Sequence, residues 1–292
     1  MHNVKVVGVI GAGQMGGGIA LVSAVNGFKT LVMDKAGEAL TRCKNEHGKR
    51  LAREVEKGRL KDDDAKAALA RISYVHVEDL LKESDILIEA IVEDANVKRQ
   101  LFAKLAKTFT AQQILATNTS SISITEIAAA AEQAHAGTAE RVIGMHFFNP
   151  VAVMKLVEVI KGLQTSAATT ERTIELARAM GKVPIPANDR PGFISNRVLM
   201  PMINEAFYAW MEGVAQPADL DEIMKLGCNF PMGPLRLADF IGLDTCIHIM
   251  NVLADGLNSE RYRPCPLLRQ LVAAGRMGDK SGRGVYEYPK QA

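Results

Sequence analysis

Residues 4–34, VKVVGVIGAGQMGGGIALVSAVNGFKTLVMD, decide the fold. Val4–Ile10 is a β-branched apolar run bounded by glycines, the pattern of a buried parallel strand. Gly16–Asn26 then carries helical spacing with small residues on one side, and Phe28–Met33 reads as a second strand. Strand, glycine turn, helix and strand make one βαβ unit. Gly11-Ala12-Gly13-Gln14-Met15-Gly16 is a G-x-G-x-x-G sequence placed where that motif needs to be, after a strand and at the start of a helix. Gly11 permits the tight turn, Gly13 lets backbone approach a pyrophosphate, and Gly16 lets helix pack on strand. The helix N-terminus, with Gln14 and Met15 in its first turn, offers unpaired N–H groups to phosphates. Asp34 closes the second strand, where a carboxylate accepts from an adenosine ribose and repels a 2′-phosphate. The cofactor expected is therefore NAD rather than NADP, with Lys35 next door weakening the preference.

Working outward, residues 36–72 are charged and poor in aromatics, with Lys57-Gly58-Arg59 as a turn; they read as two antiparallel helices inserted after the second strand. Further strands are expected at Ile86–Ile91, Ile114–Thr117, Val142–His146 and Lys155–Ile160, with a helix near Lys98–Lys107. Ala128–Ala139 is alanine-rich with Gly137 and reads as a fraying surface loop. Val183–Pro191 holds three prolines and reads as the domain boundary. Beyond it the pattern is helical: Phe193–Met211, Ala218–Lys225, Leu235–Ala254 and Pro266–Ala274. The expected architecture is an α/β Rossmann-type N-terminal domain with an inserted helical hairpin over residues 1–187, followed by an all-α C-terminal domain over residues 188–292.

Composition bounds the function. The chain has 292 residues, 48% hydrophobic and 23% charged, which suits a globular protein of two domains. A net charge of +2, from 35 basic and 33 acidic residues, offers no global case for nucleic-acid binding. The four cysteines and six histidines have no metal-like spacing, so no metal is expected and the thiols read as reduced. The N-terminus runs directly into a strand and no apolar run is long enough for a bilayer, so a cytoplasmic protein without a membrane partner is expected.

Four segments carry a resemblance: TNTSSISI (117–124), HFFNPVAVMKLVEVI (146–160), PGFISNRV (191–198) and PMGPLRLADFIGLD (231–244), with RMGDKSGRGVYEY (276–288) at the end. With the glycine motif they span nearly the whole chain, which resembles L-3-hydroxyacyl-CoA dehydrogenases, closest in length to the short bacterial 3-hydroxybutyryl-CoA type. The resemblance implies NAD-dependent oxidation of an L-3-hydroxyacyl-CoA to the 3-ketoacyl-CoA, or the reverse. It makes His146 the catalytic histidine, Glu158 its carboxylate partner, and Ser120 and Asn196 the hydrogen-bonding residues at the substrate 3-oxygen. It places Glu93, Lys98 and Asn118 with the cofactor, and Lys57, with Arg50 and Arg53, at the CoA phosphates. It also implies a homodimer through the helical domain. The stretch Ala128–Arg141 is a few residues longer than the family spacing.

The chemistry suits these residue types. Oxidising a secondary alcohol needs a hydride acceptor and a base near working pH, which histidine supplies. A carboxylate on the far ring nitrogen fixes the tautomer and stabilises the imidazolium. Glu158 follows His146 by twelve residues across the Asn149-Pro150 turn, so the two side chains can meet on adjacent strands. Asn196 belongs to the helical domain, which implies a site fed by both domains. Each residue also has an ordinary reading: a packed histidine, a strand-surface carboxylate, serine and asparagine as helix caps, and a solvated basic helix face. Two other functions stay open at this point. One is a related dehydrogenase of a hydroxy or sugar acid; the other is a non-catalytic NAD-binding relative.

Overall fold

A computed structural model describes residues 4–109 and 112–288. Two compact units divide after Arg190, Met1–Arg190 and Pro191–Ala292.

In the first unit the elements run β1 (Val6–Ile10), α1 (Gln14–Val25), β2 (Lys29–Met33), α2 (Gly37–Glu56), α3 (Asp62–Ala70), β3 (Ile72–Val75), β4 (Ile86–Glu89), α4 (Ala95–Thr108), β5 (Ile114–Thr117), α5 (Ile124–Ala134), β6 (Val142–Phe147), β7 (Leu156–Lys161), α6 (Ala167–Ala179) and β8 (Val183–Asn188). The sheet order is β3-β2-β1-β4-β5-β6-β7-β8. Its first six strands are parallel in the order of a dinucleotide-binding sheet, reversing direction of travel at β1. β7 runs antiparallel to β6, and β8 parallel to β7. β1, β4 and β5 are buried on both faces, which is why they read as continuous apolar runs rather than alternating ones. The carboxyl edge of the parallel strands therefore gathers Gly11, Asp34, Glu89, Thr117 and His146 within one rim.

The second unit is helical: α7 (Ser195–Met211), α8 (Pro217–Cys228), α9 (Pro234–Ile241), α10 (Leu243–Gly256) and α11 (Pro266–Ala273). Its own core gathers Met200, Phe207, Leu235, Met250, Leu253 and Leu268. Among the described residues no single helix is long and apolar enough to cross a membrane; α9 and α10 reach that length only as a pair bent by 97°.

Two expectations need correction. Ala128–Ala139 does not begin as a loop: Ile124–Ala134 is helix α5, capped by the Ser123 hydroxyl, with Ile127, Ala128 and Ala131 fully buried, and only the residues after it leave the helix. The turn after it is tied by the Glu132 carboxylate, which accepts from the N–H groups of Gly137 and Ala139 at 2.8 Å each. The two units divide within the proline-rich Val183–Pro191 stretch, whose first part, Val183–Asn188, is also the edge strand β8, a place where prolines cost no interior ladder bond. Leu235–Ala254 is two helices broken at Gly242, whose φ of +102° a helix cannot continue through. Strand β3 and helix α6 were not expected from sequence.

Candidate active site

The glycine turn is shaped by close approach. Gly11 sits at φ +106°, and a Cβ on Gly16 would collide with the Gly11 carbonyl, so neither position accepts a side chain. A Cβ on Gly13 would meet nothing within 4 Å, leaving its backbone open to a ligand. Asp34 completes the turn: Oδ2 accepts from Ala12 N–H at 2.8 Å and Oδ1 from Ala36 N–H at 2.9 Å. Beside it lies a cavity of about 430 Å³ walled by Met33, Ile91, Val92, Val97 and Leu101, with Asp34 and Lys35 among its lining residues. An apolar slot with a carboxylate beside it fits an adenine and its ribose diol. Met15 is partly buried and packs against the core, and Gln14 Nε2 donates to Asn149 Oδ1 at 3.1 Å.

His146 and Glu158 are register partners across the antiparallel β6–β7 pair, which projects both side chains from one face. His146 Nδ1 lies 2.8 Å from Glu158 Oε2. Both are buried, Glu158 to 1% exposure, and the Phe148 ring lies 4.6 Å from the imidazole. The turn between the two strands is clamped on both sides. The buried Lys182 ammonium donates to the carbonyls of Val151 and Met154, and burial pushes its pKa down. Val151 lies against Gly18, where a Cβ would come within 2.9 Å of it.

The polar run after β5 is committed residue by residue. Thr117 Oγ1 donates to Glu89 Oε2 at 2.6 Å, and Asn118 Oδ1 accepts from Phe147 N–H at 2.8 Å, tying β5 to the strand that carries His146. Glu93 Oε1 accepts from Thr119 Oγ1, Ser120 N–H, Ser120 Oγ and Ser121 Oγ at 2.6, 2.9, 3.2 and 3.0 Å. Burial would raise the Glu93 pKa, but the Lys98 ammonium and these donors outweigh it and hold the carboxyl below its usual range. Lys98 is wholly enclosed, its Nζ 2.6 Å from Glu89 and 3.4 Å from Glu93. Sequence reasoning named Glu93, Lys98, Asn118 and Ser120 but missed Glu89, Thr117, Thr119 and Ser121. An acid ending the apolar strand ILIE was the available signal.

Arg50, Arg53 and Lys57 fall on one face of α2 by their spacing of three and four. Arg53 and Lys57 are exposed, while Arg50 lines a cavity of about 310 Å³ with Gly13, Gln14, Gly17 and Arg42. The buried His47 joins α2 to α1: its Nε2 lies 2.8 Å from the Gly17 carbonyl and its Nδ1 2.7 Å from the Tyr74 hydroxyl. Asn196 is buried in the first turn of α7, in the second unit. Among the described residues no group of three or more His, Cys, Asp or Glu could hold a metal ion.

A glycine-turn Rossmann sheet that sets a histidine–carboxylate pair at its carboxyl edge defines a nicotinamide-dependent dehydrogenase. Residues 6–190 match the NAD-binding domain of 3-hydroxyacyl-CoA dehydrogenase and residues 192–288 its C-terminal domain. The chain belongs to the 3-hydroxyacyl-CoA dehydrogenase family. A probable 3-hydroxybutyryl-CoA dehydrogenase of Bacillus subtilis (strain 168) is 51% identical over 288 residues, covering 99% of each chain. The 3-hydroxybutyryl-CoA dehydrogenase of Bradyrhizobium diazoefficiens is 47% identical over 285 residues, 98% of this chain and 96% of that one. The crystal structure of (S)-3-hydroxybutyryl-CoA dehydrogenase from Ralstonia eutropha matches with a TM-score of 0.94 at 46% identity, covering 99% of this chain and 100% of that one. This chain is thus an NAD-dependent oxidoreductase, and the family implies an acyl-CoA substrate.

Proposed function

We propose that the protein interconverts L-3-hydroxybutyryl-CoA and acetoacetyl-CoA with NAD, His146 serving as its acid–base. The observation that carries this is the 2.8 Å contact between His146 Nδ1 and Glu158 Oε2 at a buried register pair. NAD, held by the Gly11–Gly16 turn and Asp34, supplies the hydride acceptor. With Nδ1–H donated to Glu158, the imidazole lone pair sits on Nε2, the atom that takes the hydroxyl proton in oxidation and returns it in reduction. Glu158 stabilises the imidazolium so formed and fixes its tautomer. Ser120 and Asn196 hydrogen-bond the 3-oxygen as negative charge develops on it. Lys57, with Arg50 and Arg53, meets the CoA phosphates as a set of basic groups on one helix face.

The short-chain substrate is favoured by the relatives at about half identity, each described as acting on 3-hydroxybutyryl-CoA. The second unit leaves Ile223 and Leu226 of α8 exposed, which supports a homodimer through that unit. A cytoplasmic location completes the reading. Steady-state reduction of acetoacetyl-CoA against longer 3-ketoacyl-CoAs, with NADH and NADPH in parallel, tests it. Acetoacetyl-CoA with NADH should have the highest kcat/KM; no turnover of any thioester would refute the assignment. Sedimentation should report a dimer.

A further inference from the structure

Strand β4 ends on an acid in the middle of the sheet. Glu89 is fully buried and pairs in register with Ile10 on one side and Thr117 on the other. A carboxylate so enclosed must be held by donors and an opposite charge. Its Oε1 accepts from Ile91 N–H at 2.7 Å and from Lys98 Nζ at 2.6 Å, and its Oε2 from the Thr117 hydroxyl at 2.6 Å. Lys98 reaches this point from α4 and is 0% exposed. The same Nζ lies 3.4 Å from Oε2 of Glu93, whose other oxygen carries the Thr119–Ser121 turn. Two carboxylates thus share one buried ammonium unequally, and the nearer one is not the one that holds Ser120.

We propose that Glu89 is a positioning residue for the reaction: by holding Lys98 it leaves Glu93 seated on the Ser120 turn, and so sets the Ser120 hydroxyl. This rests on the reading that Ser120 meets the substrate 3-oxygen. The reason is electrostatic. An enclosed ammonium that loses its main counter-ion draws in the next anion, because charge attraction is strong where water is absent. With Glu89 neutral, Lys98 pulls Glu93 Oε2 from 3.4 Å towards the ~2.8 Å of a charge-assisted hydrogen bond. That is a shift of roughly half an ångström in a carboxylate whose other oxygen takes both Ser120 donors. Misplacement by about 1 Å costs on the order of 100-fold in rate, so this shift should cost roughly tenfold.

The test uses Glu89→Gln, Ser120→Ala and the double variant in the full chain. Glu89→Gln should lower kcat about tenfold, with NADH affinity by fluorescence titration and KM for acetoacetyl-CoA changed much less. Glu89→Gln/Ser120→Ala should be little worse than Ser120→Ala, because Glu89 then has nothing left to position. A folded Glu89→Gln with wild-type kcat overturns the proposal, as do losses that multiply in the double variant. Should Glu89→Gln not fold, Glu89→Asp keeps the charge but draws it back from Lys98 Nζ, which loosens the same hold on the ammonium. It should show a smaller kcat loss with the same dependence on Ser120, and a wild-type kcat there overturns the proposal. A wild-type kcat for Ser120→Ala alone sinks the reading of Ser120 itself, and it is measured with Glu89 intact, so the two failures are told apart.

Discussion

Glu158→Gln exchanges one buried oxygen for an amide group and leaves the β6–β7 register untouched. The carboxylate faces His146 Nδ1 at 2.8 Å and is 1% exposed, so water screens the pair little. Spreading both charges over their groups puts their centres roughly 4–5 Å apart. At an effective dielectric of about 20, that separation corresponds to an attraction of about 3–4 kcal/mol for the imidazolium. The neutral imidazole receives almost none of this, so nearly all of it favours the protonated form that arises when Nε2 takes the hydroxyl proton. At about 1.4 kcal/mol per factor of ten, kcat for alcohol oxidation should fall on the order of 10²–10³-fold. A glutamine can also turn its NH₂ towards Nδ1, which moves the ring proton to Nε2 and removes the base altogether. His146→Ala should cost at least as much, while both variants bind NADH normally. The decisive measurement is the double-mutant cycle in kcat. His146→Ala/Glu158→Gln should match His146→Ala, because Glu158 then has no ring to orient. Multiplicative losses, or a Glu158→Gln within a few-fold of the parent, would refute the paired mechanism.

Three further outcomes follow from the same geometry. The unmodified protein should prefer NADH, and Asp34→Ala should narrow the gap to NADPH. Because Asp34 also holds Ala12 N–H, NADH affinity itself should fall, and equal use of both cofactors by the parent would contradict the role of Asp34. Lys57→Ala should raise KM for the thioester with kcat nearly unchanged, less so at high salt; an unchanged KM at low salt returns Lys57 to a solvated face. His47 is held below its ordinary value of 6.5, chiefly by burial and further by Arg50, so folding favours its neutral form. Its contribution to stability is complete above about pH 6.5 and is lost as pH falls towards the lower folded value. The drop in Tm from pH 7 to pH 5 should therefore be smaller in His47→Leu, whatever its absolute Tm, and parallel curves would rule this out. Glu93, also held low, acts in the same direction, but only below its ordinary value of 4.5.

Much of the protein is legible in the chain because its signals are local. A glycine turn between an apolar strand and a small-residue helix specifies itself through φ angles and close approach, as Gly11 and Gly16 show. A histidine and a glutamate twelve residues apart, with the turn at Asn149-Pro150 between, can oppose each other on adjacent strands, and the antiparallel register makes them direct partners. Other features depend on contacts distant in sequence. The alanines of α5 favour a helix by propensity, and only the structure shows how far it runs, with Ile127, Ala128 and Ala131 buried and the helix ending at Ala134 ahead of Gly137. The prolines of β8 argue against a strand until β7 supplies the partner and the sheet edge supplies the tolerance. Lys98 has the look of any helix-surface lysine. Only the tertiary fold, which brings the Lys98 side chain of α4 to the end of β4, encloses it between Glu89 and Glu93. Once water is excluded those charges must answer one another, and that requirement, invisible along the chain, sets the turn that bears Ser120.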